Sequence, residues 1–266
     1  MPRILPFIAI GAALLVLLAA AYGEALARPI IVTYDVAVPG WSAPPLRIVQ
    51  LSDLHRGWPD MPLARLRRIV DQANALRPDV IALTGDFAFG KLADLAAGNL
   101  DEAVRPLARL RSRFGTFAVR GNHDDPYWTP RTLPRYGMTY LENAHADAGP
   151  ITVAGIDDLS TGHADLDRAL AGIAPGQPIL LLMHEPDSFV RVPACVTLTL
   201  AGHTHGGQVK LPLIGTPLTN TAFGYVRGRF AEGERTMIVS SGVGTSTLPV
   251  RWNVPPEIVV VTMHAP

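Results

Sequence analysis

The chain has 266 residues, 48% of them apolar, with 23 Lys plus Arg against 23 Asp plus Glu. That length and apolar share can fill one large α/β core, and the balanced charge leaves no overall field to recruit nucleic acid or an acidic polymer. Cys195 is the only cysteine, which excludes an intrachain disulfide and a zinc cluster built on cysteines.

Ile4 to Tyr22, ILPFIAIGAALLVLLAAAY, carries no charge. At about 1.5 Å per residue such a run reaches roughly 28 Å, close to the ~30 Å hydrocarbon core of a bilayer. It exceeds the ~7–15 apolar residues of a secretory signal core, so residues 1–23 read as a retained transmembrane anchor, against the competing reading of a signal sequence cut near Ala25–Ala27. Arg3 and the amino terminus precede the run, and Glu24 and Arg28 follow it. The small positive excess before it puts the rest of the chain outside the cytoplasm. Residues 24–45, with Pro29, Pro39, Pro44 and Pro45, read as a linker in which PIIVTYDVAV can form an edge strand.

From Leu46 to the end, one domain alternates short apolar runs with helical patterns. LRIVQLSD predicts a strand, LARLRRIVDQANAL an amphipathic helix with Leu63, Leu66, Ile69, Val70, Ala73 and Leu76 on one face, and DVIALTGD the next strand, together a βαβ unit. A helix over Leu100 to Phe114 follows, then strands at TFAVRGN and ITVAGIDD, a helix at ADLDRALAGI, and strands at PILLLMHE and VTLTLAGH. FGYVRGRFAEGERTMIVSSG predicts a hairpin turning at Glu232 to Glu234, and EIVVVTM a last strand.

Five of these runs end in side chains that can bind a metal. They are Asp53 and His55, Asp86, Asn122 with His123, His184, and the pair His203 and His205 in LTLAGHTHGGQVKLP. Each has a plain structural reading: Asp53 as a helix cap, Asn122 in a left-handed turn, His184 as a hydrogen-bonded core residue. Repetition at one structural position favours a shared ligand, because open α/β sheets collect ligands at the carboxyl ends of their strands. Imidazoles, carboxylates and an amide oxygen without thiolate suit Mn, Fe, Zn or similar divalent ions. Seven candidate groups, His123 left aside, exceed the needs of one centre and point to two ions, the arrangement that clamps both oxygens of an in-line displacement. His203 and His205, flanking Thr204 where the last apolar run gives way to a turn, would then serve one ion each.

The blocks SDLH, TGD, GNHD, MHE and AGHTHGGQ, in this order, resemble the calcineurin-like metallophosphoesterase superfamily. VSSGVGTSTLPVRWNVPPEI is similar to the bacterial branch of membrane-associated phosphodiesterases and UDP-2,3-diacylglucosamine hydrolases, which would tie the chain to lipid A biosynthesis. The resemblance implies a four-layer αββα sandwich of two mixed sheets. It also implies one metal on Asp53, His55 and His205, another on Asn122, His184 and His203, and the Asp86 carboxylate bridging both. His123 would sit beside the scissile phosphate as proton donor, oriented by Asp124.

The chain departs from the pattern where many relatives carry a second acid, here Phe89, which removes a partner for orienting ligands. Arg56 can bind phosphate or be a solvated arginine. Trp58, Met61, Tyr127 and Trp128 follow the motifs, where covering the core outweighs contact with lipid or a leaving group. The expected activity is a phosphodiesterase or pyrophosphatase on a membrane- or envelope-linked substrate at the bacterial cell membrane. No nucleic-acid partner and no obligate protein partner is expected. The alternatives are a phosphomonoesterase and a non-catalytic scaffold, which would ordinarily have lost some of the eight site positions retained here.

Overall fold

In the computed structural model, which describes residues 5–88, 90 and 100–266, successive residues of the central strands enter two different cores. Ile48, Val80, Ala82, Phe117, Leu180, Leu182, Leu198 and Leu200 fill the layer between two sheets. Their neighbours Val49, Leu51, Ile81, Leu83 and Ala118 face outward into a second cluster. A strand covered on both faces reads as an unbroken apolar run, and these do.

The strands are β1 (Ile30–Ala37), β2 (Leu46–Leu51), β3 (Val80–Thr84), β4 (Thr116–Val119), β5 (Thr139–Tyr140), β6 (Ala144–Ala148), β7 (Ile151–Gly155), β8 (Ile179–Leu182), β9 (Leu198–Ala201), β10 (Gly228–Glu232), β11 (Arg235–Val239) and β12 (Glu257–His264). One sheet has the order β1-β12-β2-β3-β4-β5 and the other β10-β11-β9-β8-β7-β6. Both are mixed. In the first, β2 to β5 run parallel and β12 lies antiparallel to β2. In the second, β7, β8, β9 and β11 run parallel, with β6 and β10 as antiparallel edges. The helices are α1 (Leu5–Leu26), α2 (Leu63–Ala75), α3 (Leu100–Val104), α4 (Thr129–Thr132) and α5 (Leu166–Leu170). Leu66, Ile69, Val70 and Ala73 of α2 pack on the outer face of the first sheet. Ala169 of α5 and Phe189 cover the second against Leu181 and Val239. The result is the expected αββα sandwich, with the ends of β2, β3, β4, β8 and β9 gathered at one edge of the interface.

Three local readings differ. The helix expected over Leu100 to Phe114 is α3 followed by a 3-10 turn at Arg105–Arg109, because Pro106 lacks an N–H and its ring blocks the preceding carbonyl. The helix expected over residues 164–173 is confined to α5. Strands β5 and β6 have no counterpart among the expected elements. The alanines of AHADA, although alternating in burial, carry little strand preference. Phe89 and Arg3 lie outside the described residues.

Helix α1 holds a segment, Phe7–Leu26, long and apolar enough to cross a membrane, and Leu14 to Leu18 are exposed. Its last turns are built into the domain. Ala21 and Ala25 are buried, the Ala21 carbonyl accepts from the Arg251 amide at 3.0 Å, and the Tyr22 hydroxyl reaches the Pro59 carbonyl at 3.4 Å. The Glu24 carboxylate accepts from the amides of Asn253 and Val254 at 3.0 and 2.9 Å. Replacing Glu24 by Ala therefore strands two amide donors and should cost roughly 1–2 kcal/mol. Thermal melting of the full chain in detergent checks this: a fall of a few degrees is expected, and an unchanged melting point would show that the contact contributes nothing.

Candidate metal centre

Five residues of the motif loops, Asp53, His55, Asp86, His203 and His205, have φ between 40° and 71°. They make up almost half of the eleven described non-glycine residues with positive φ. Each such residue costs on the order of 1–3 kcal/mol and persists only where the surroundings force it. Here the forced bend turns each side chain back over the end of its strand, which explains why carboxylates and imidazoles from sequence positions so far apart meet.

They meet in two groups that share one atom. Asp53, His55, Asp86 and His205, all buried, bring one potential ligand atom each to within 4.8 Å of one another. His55 Nε2 stands 3.0 Å from His205 Nε2, and His205 Nε2 3.4 Å from Asp53 Oδ1. In the second group His184 Nε2 lies 3.1 Å from Asn122 Oδ1 and 3.2 Å from His203 Nδ1, and His203 Nδ1 is 3.0 Å from the same Asn122 oxygen. Asp86 Oδ2 joins the groups, at 3.3 Å from His55 Nε2 and 3.3 Å from His184 Nε2.

The donor chemistry fits divalent cations. The Nδ1 atom of His184 contacts the Thr84 carbonyl at 2.7 Å; a carbonyl only accepts, so Nδ1 carries the proton and Nε2 is turned toward the carboxylate and amide oxygens. Burial, then the charges around His184 and His55, holds the His203 and His205 imidazoles down, His203 to about 4 and His205 well below its usual range. Both are neutral lone-pair donors. Burial pushes the Asp86 carboxyl up, but the His184 and His55 imidazoles outweigh it and keep it ionised, well below the carboxylate range. Burial also lowers His184, yet Asp86 outweighs it and raises that imidazole well above normal. The Asp53 carboxyl is raised, chiefly by burial. Buried carboxylates beside the neutral His203 and His205 imidazoles and an amide oxygen form a site that binds cations.

Several residues without a ligand role hold this arrangement, and none stood out in the sequence. The Gln50 side-chain amide donates to Thr84 Oγ1 and to the Ala201 carbonyl, both at 2.9 Å, tying the first sheet to the second behind the site. Arg120 and Asp157 form a buried ion pair at 2.6 and 2.9 Å across the same interface. Arg251, wholly buried, donates to the carbonyls of Ser241, Gly242, Gly244 and Val254. The loop it grips in turn donates from Val243 and Gly244 to the carbonyls of Ser52 and Asp53. A lone arginine between Val250 and Trp252 does not reveal such a task.

Among the glycines of the motifs, Gly121 packs directly against the Asp86 carboxylate. A Cβ there would strike Asp86 Oδ1 and stand 2.7 Å from His184 Cε1. Gly121→Ala should displace the shared carboxylate and lower turnover by about 10²-fold, the scale of an ångström-sized misplacement, with reduced metal content measured by mass spectrometry. Normal metal content and rate in that variant would mean that Asp86 is free to move.

His123 lies at the mouth of the site, its amide donating to Asp86 Oδ1 at 3.0 Å and its ring edge-on to His55 with centroids 5.3 Å apart. Burial pulls its imidazole below the usual range while Asp86 pulls the other way. The Asp124 carboxylate accepts from the amides of Asp86, Phe87 and Gly121 at 2.7, 2.8 and 2.9 Å, which braces the Asp86 loop. Burial and the Asp86 charge push it up to about 7. The Arg56 guanidinium pairs with Glu102 at 3.0 Å. Met61 is in the core, but Trp58, Tyr127 and Trp128 are more than half exposed, against the expectation that they cover it.

Comparison with known proteins agrees with this geometry. The family described as calcineurin-like phosphoesterase matches residues 46–207. The metallophosphoesterase YkuE of Bacillus subtilis is 34% identical over 232 residues, 82% of this chain and 79% of YkuE. The phosphodiesterase YaeI of Escherichia coli is 33% identical over 234 residues, 84% of this chain and 83% of YaeI. A zebrafish (Danio rerio) transmembrane protein with a metallophosphoesterase domain is 34% identical over 248 residues, 82% of this chain but only 54% of the fish protein. None of these three is named for UDP-2,3-diacylglucosamine or for a particular metal. With the sandwich, the motif loops and these relatives in agreement, the chain belongs to the calcineurin-like phosphoesterase family and is a metal-dependent phosphoester hydrolase.

Proposed function

We propose that this chain hydrolyses a phosphodiester or pyrophosphate bond with two divalent cations, working from a membrane anchor on a membrane- or envelope-linked substrate. The observation that carries the reading is the shared oxygen: Asp86 Oδ2 stands 3.3 Å from an imidazole nitrogen of each group. In this reading Asp53, His55 and His205 hold one cation, Asn122, His184 and His203 the other, and Asp86 both. Cations bound there supply Lewis acidity to the phosphoryl oxygens and make a water acidic enough to attack at neutral pH. His123 gives its proton to the departing oxygen at the mouth, and Asp124 keeps the Asp86 loop in place. That one relative is named a phosphodiesterase supports the diester reading over the monoester one.

The test is turnover of the full chain in detergent on phosphodiester, pyrophosphate and monoester substrates, each with Mn, Zn or Mg. Diesters or pyrophosphates should be cleaved faster than monoesters. A preference for monoesters would make it a phosphomonoesterase, and tight metal binding without turnover on any of them would favour the scaffold.

The anchor is retained in this reading, because cleavage after Ala27 would remove Ala21, Tyr22, Glu24 and Ala25, all in contact with the folded domain. The transmembrane relative supports it, and the slight positive excess before α1 favours a catalytic domain outside the cytoplasm. The full-length product should stay with membranes through high salt and carbonate. Recovery of a soluble product shortened by about two dozen residues, as signal cleavage requires, would overturn the retained anchor.

A further inference from the structure

Large apolar side chains ring the place where α1 meets the catalytic loops. Trp58 is 77% exposed in the turn closed by the Gly57 and Met61 amides and carbonyls, and the next residue, Pro59, offers the carbonyl that Tyr22 of α1 contacts. Leu248 is exposed three residues before Arg251, whose amide donates to Ala21 of α1. Leu213, fully exposed, and Ile214, 70% exposed, form the tip of a hairpin closed between Leu211 and Gly215. That hairpin is fastened to the same segment, because Lys210 donates to the Trp252 carbonyl at 2.8 Å.

The ring also borders the metal centre. Gln208, three residues after His205, exchanges hydrogen bonds with Ser246 at 2.6 and 3.1 Å. Ser246 and Thr247 both donate to the Gly90 carbonyl. A Cβ on Gly90 would stand 2.6 Å from His55 Nδ1 and 3.1 Å from His123 Cγ. The apolar tips and the mouth of the site are therefore parts of one surface, continuous with the base of α1.

Leu213 sharpens the point, since it holds a φ of 65°. A branched residue in the left-handed region, fully exposed, costs strain and solvation without serving a core, whereas a glycine there would cost neither. Tryptophan and leucine at such tips suit the boundary between lipid headgroups and acyl chains. We infer that Trp58, Leu213, Ile214 and Leu248 form a collar that dips into the bilayer surface beside α1, so that the metal centre opens at the headgroup level and takes its phosphoester from a lipid seated in the same membrane. The inference rests on the retained anchor and says more than it does: the anchor fixes the domain to the membrane, and the collar fixes which face meets it.

Spin-label accessibility of the full chain in phosphatidylcholine and phosphatidylglycerol vesicles tests it. Labels are placed on native Cys195, which is exposed, and on Leu213→Cys, Leu248→Cys and Leu15→Cys, each made with Cys195→Ser. Labels at 213, 248 and 15 should be reached by lipid-dissolved oxygen several-fold better, relative to an aqueous nickel chelate, than the label at 195. Aqueous behaviour at 213 and 248 with the label at 15 in lipid would overturn the collar and leave the anchor standing. Aqueous behaviour at 15 as well would remove the anchor and the collar together.

Discussion

Replacing Asp86 by Ala should abolish binding of the metal pair and reduce turnover by roughly 10³-fold or more. Its Oδ2 is 3.3 Å from His55 Nε2 and 3.3 Å from His184 Nε2, so one truncation takes a ligand from both groups. Even unit positive charges about 4 Å apart repel by about 4 kcal/mol at an effective dielectric constant of ~20, enough to weaken binding of a second ion by about 10³-fold. The same residue fastens the mouth, since Asp86 Oδ1 accepts from the His123 amide. His55→Ala and His184→Ala each touch one group only and should leave part of the metal bound. Metal analysis and turnover of the three variants side by side rank them. A variant lacking Asp86 that keeps both ions and a near-normal rate would remove the bridging role.

His123→Asn should lower turnover by about 10²–10⁴-fold, the scale of a positioned general acid, while leaving metal content and melting behaviour intact. The ring is partly exposed at the mouth and stands edge-on to His55 with centroids 5.3 Å apart. The loss should depend on the leaving group: a nitrophenolate departs without a proton, an alkoxide does not. The variant is therefore expected to be hurt less on an aryl diester than on an alkyl one. Equal losses on both would show that His123 acts through charge on the phosphoryl oxygens, and a loss of metal would make it a ligand.

Much of this was legible from the residues. Strands buried on both faces, such as ILLL and LTLA at β8 and β9, stand out as unbroken apolar runs, and the polar residue that ends each run marks the site edge. Where local preference is weak or overridden, reading fails. Proline at 106 cut a helix whose apolar spacing continued past it, and the alanine strand β6 forms only because Ile151 to Gly155 pairs beside it. Roles that depend on a partner far away in sequence were hidden altogether. Nothing near Asp124 says that its carboxylate is claimed by the amides of residues 86, 87 and 121. Arg56 could be paired with Glu102 only once α3 had been placed against the loop after β2. Exposure was misjudged at Trp58, Tyr127 and Trp128 for a related reason: composition suggests burial for an aromatic residue, but the surface it lies on decides.

The most direct measurement is electron paramagnetic resonance of the full chain, stripped of metal by a chelator and reloaded stepwise with Mn(II), with phosphodiester turnover followed on the same samples. A carboxylate shared between two ions predicts an exchange-coupled signal that grows with the second equivalent, and activity that grows with it. An isolated single-ion signal at full activity would contradict the account.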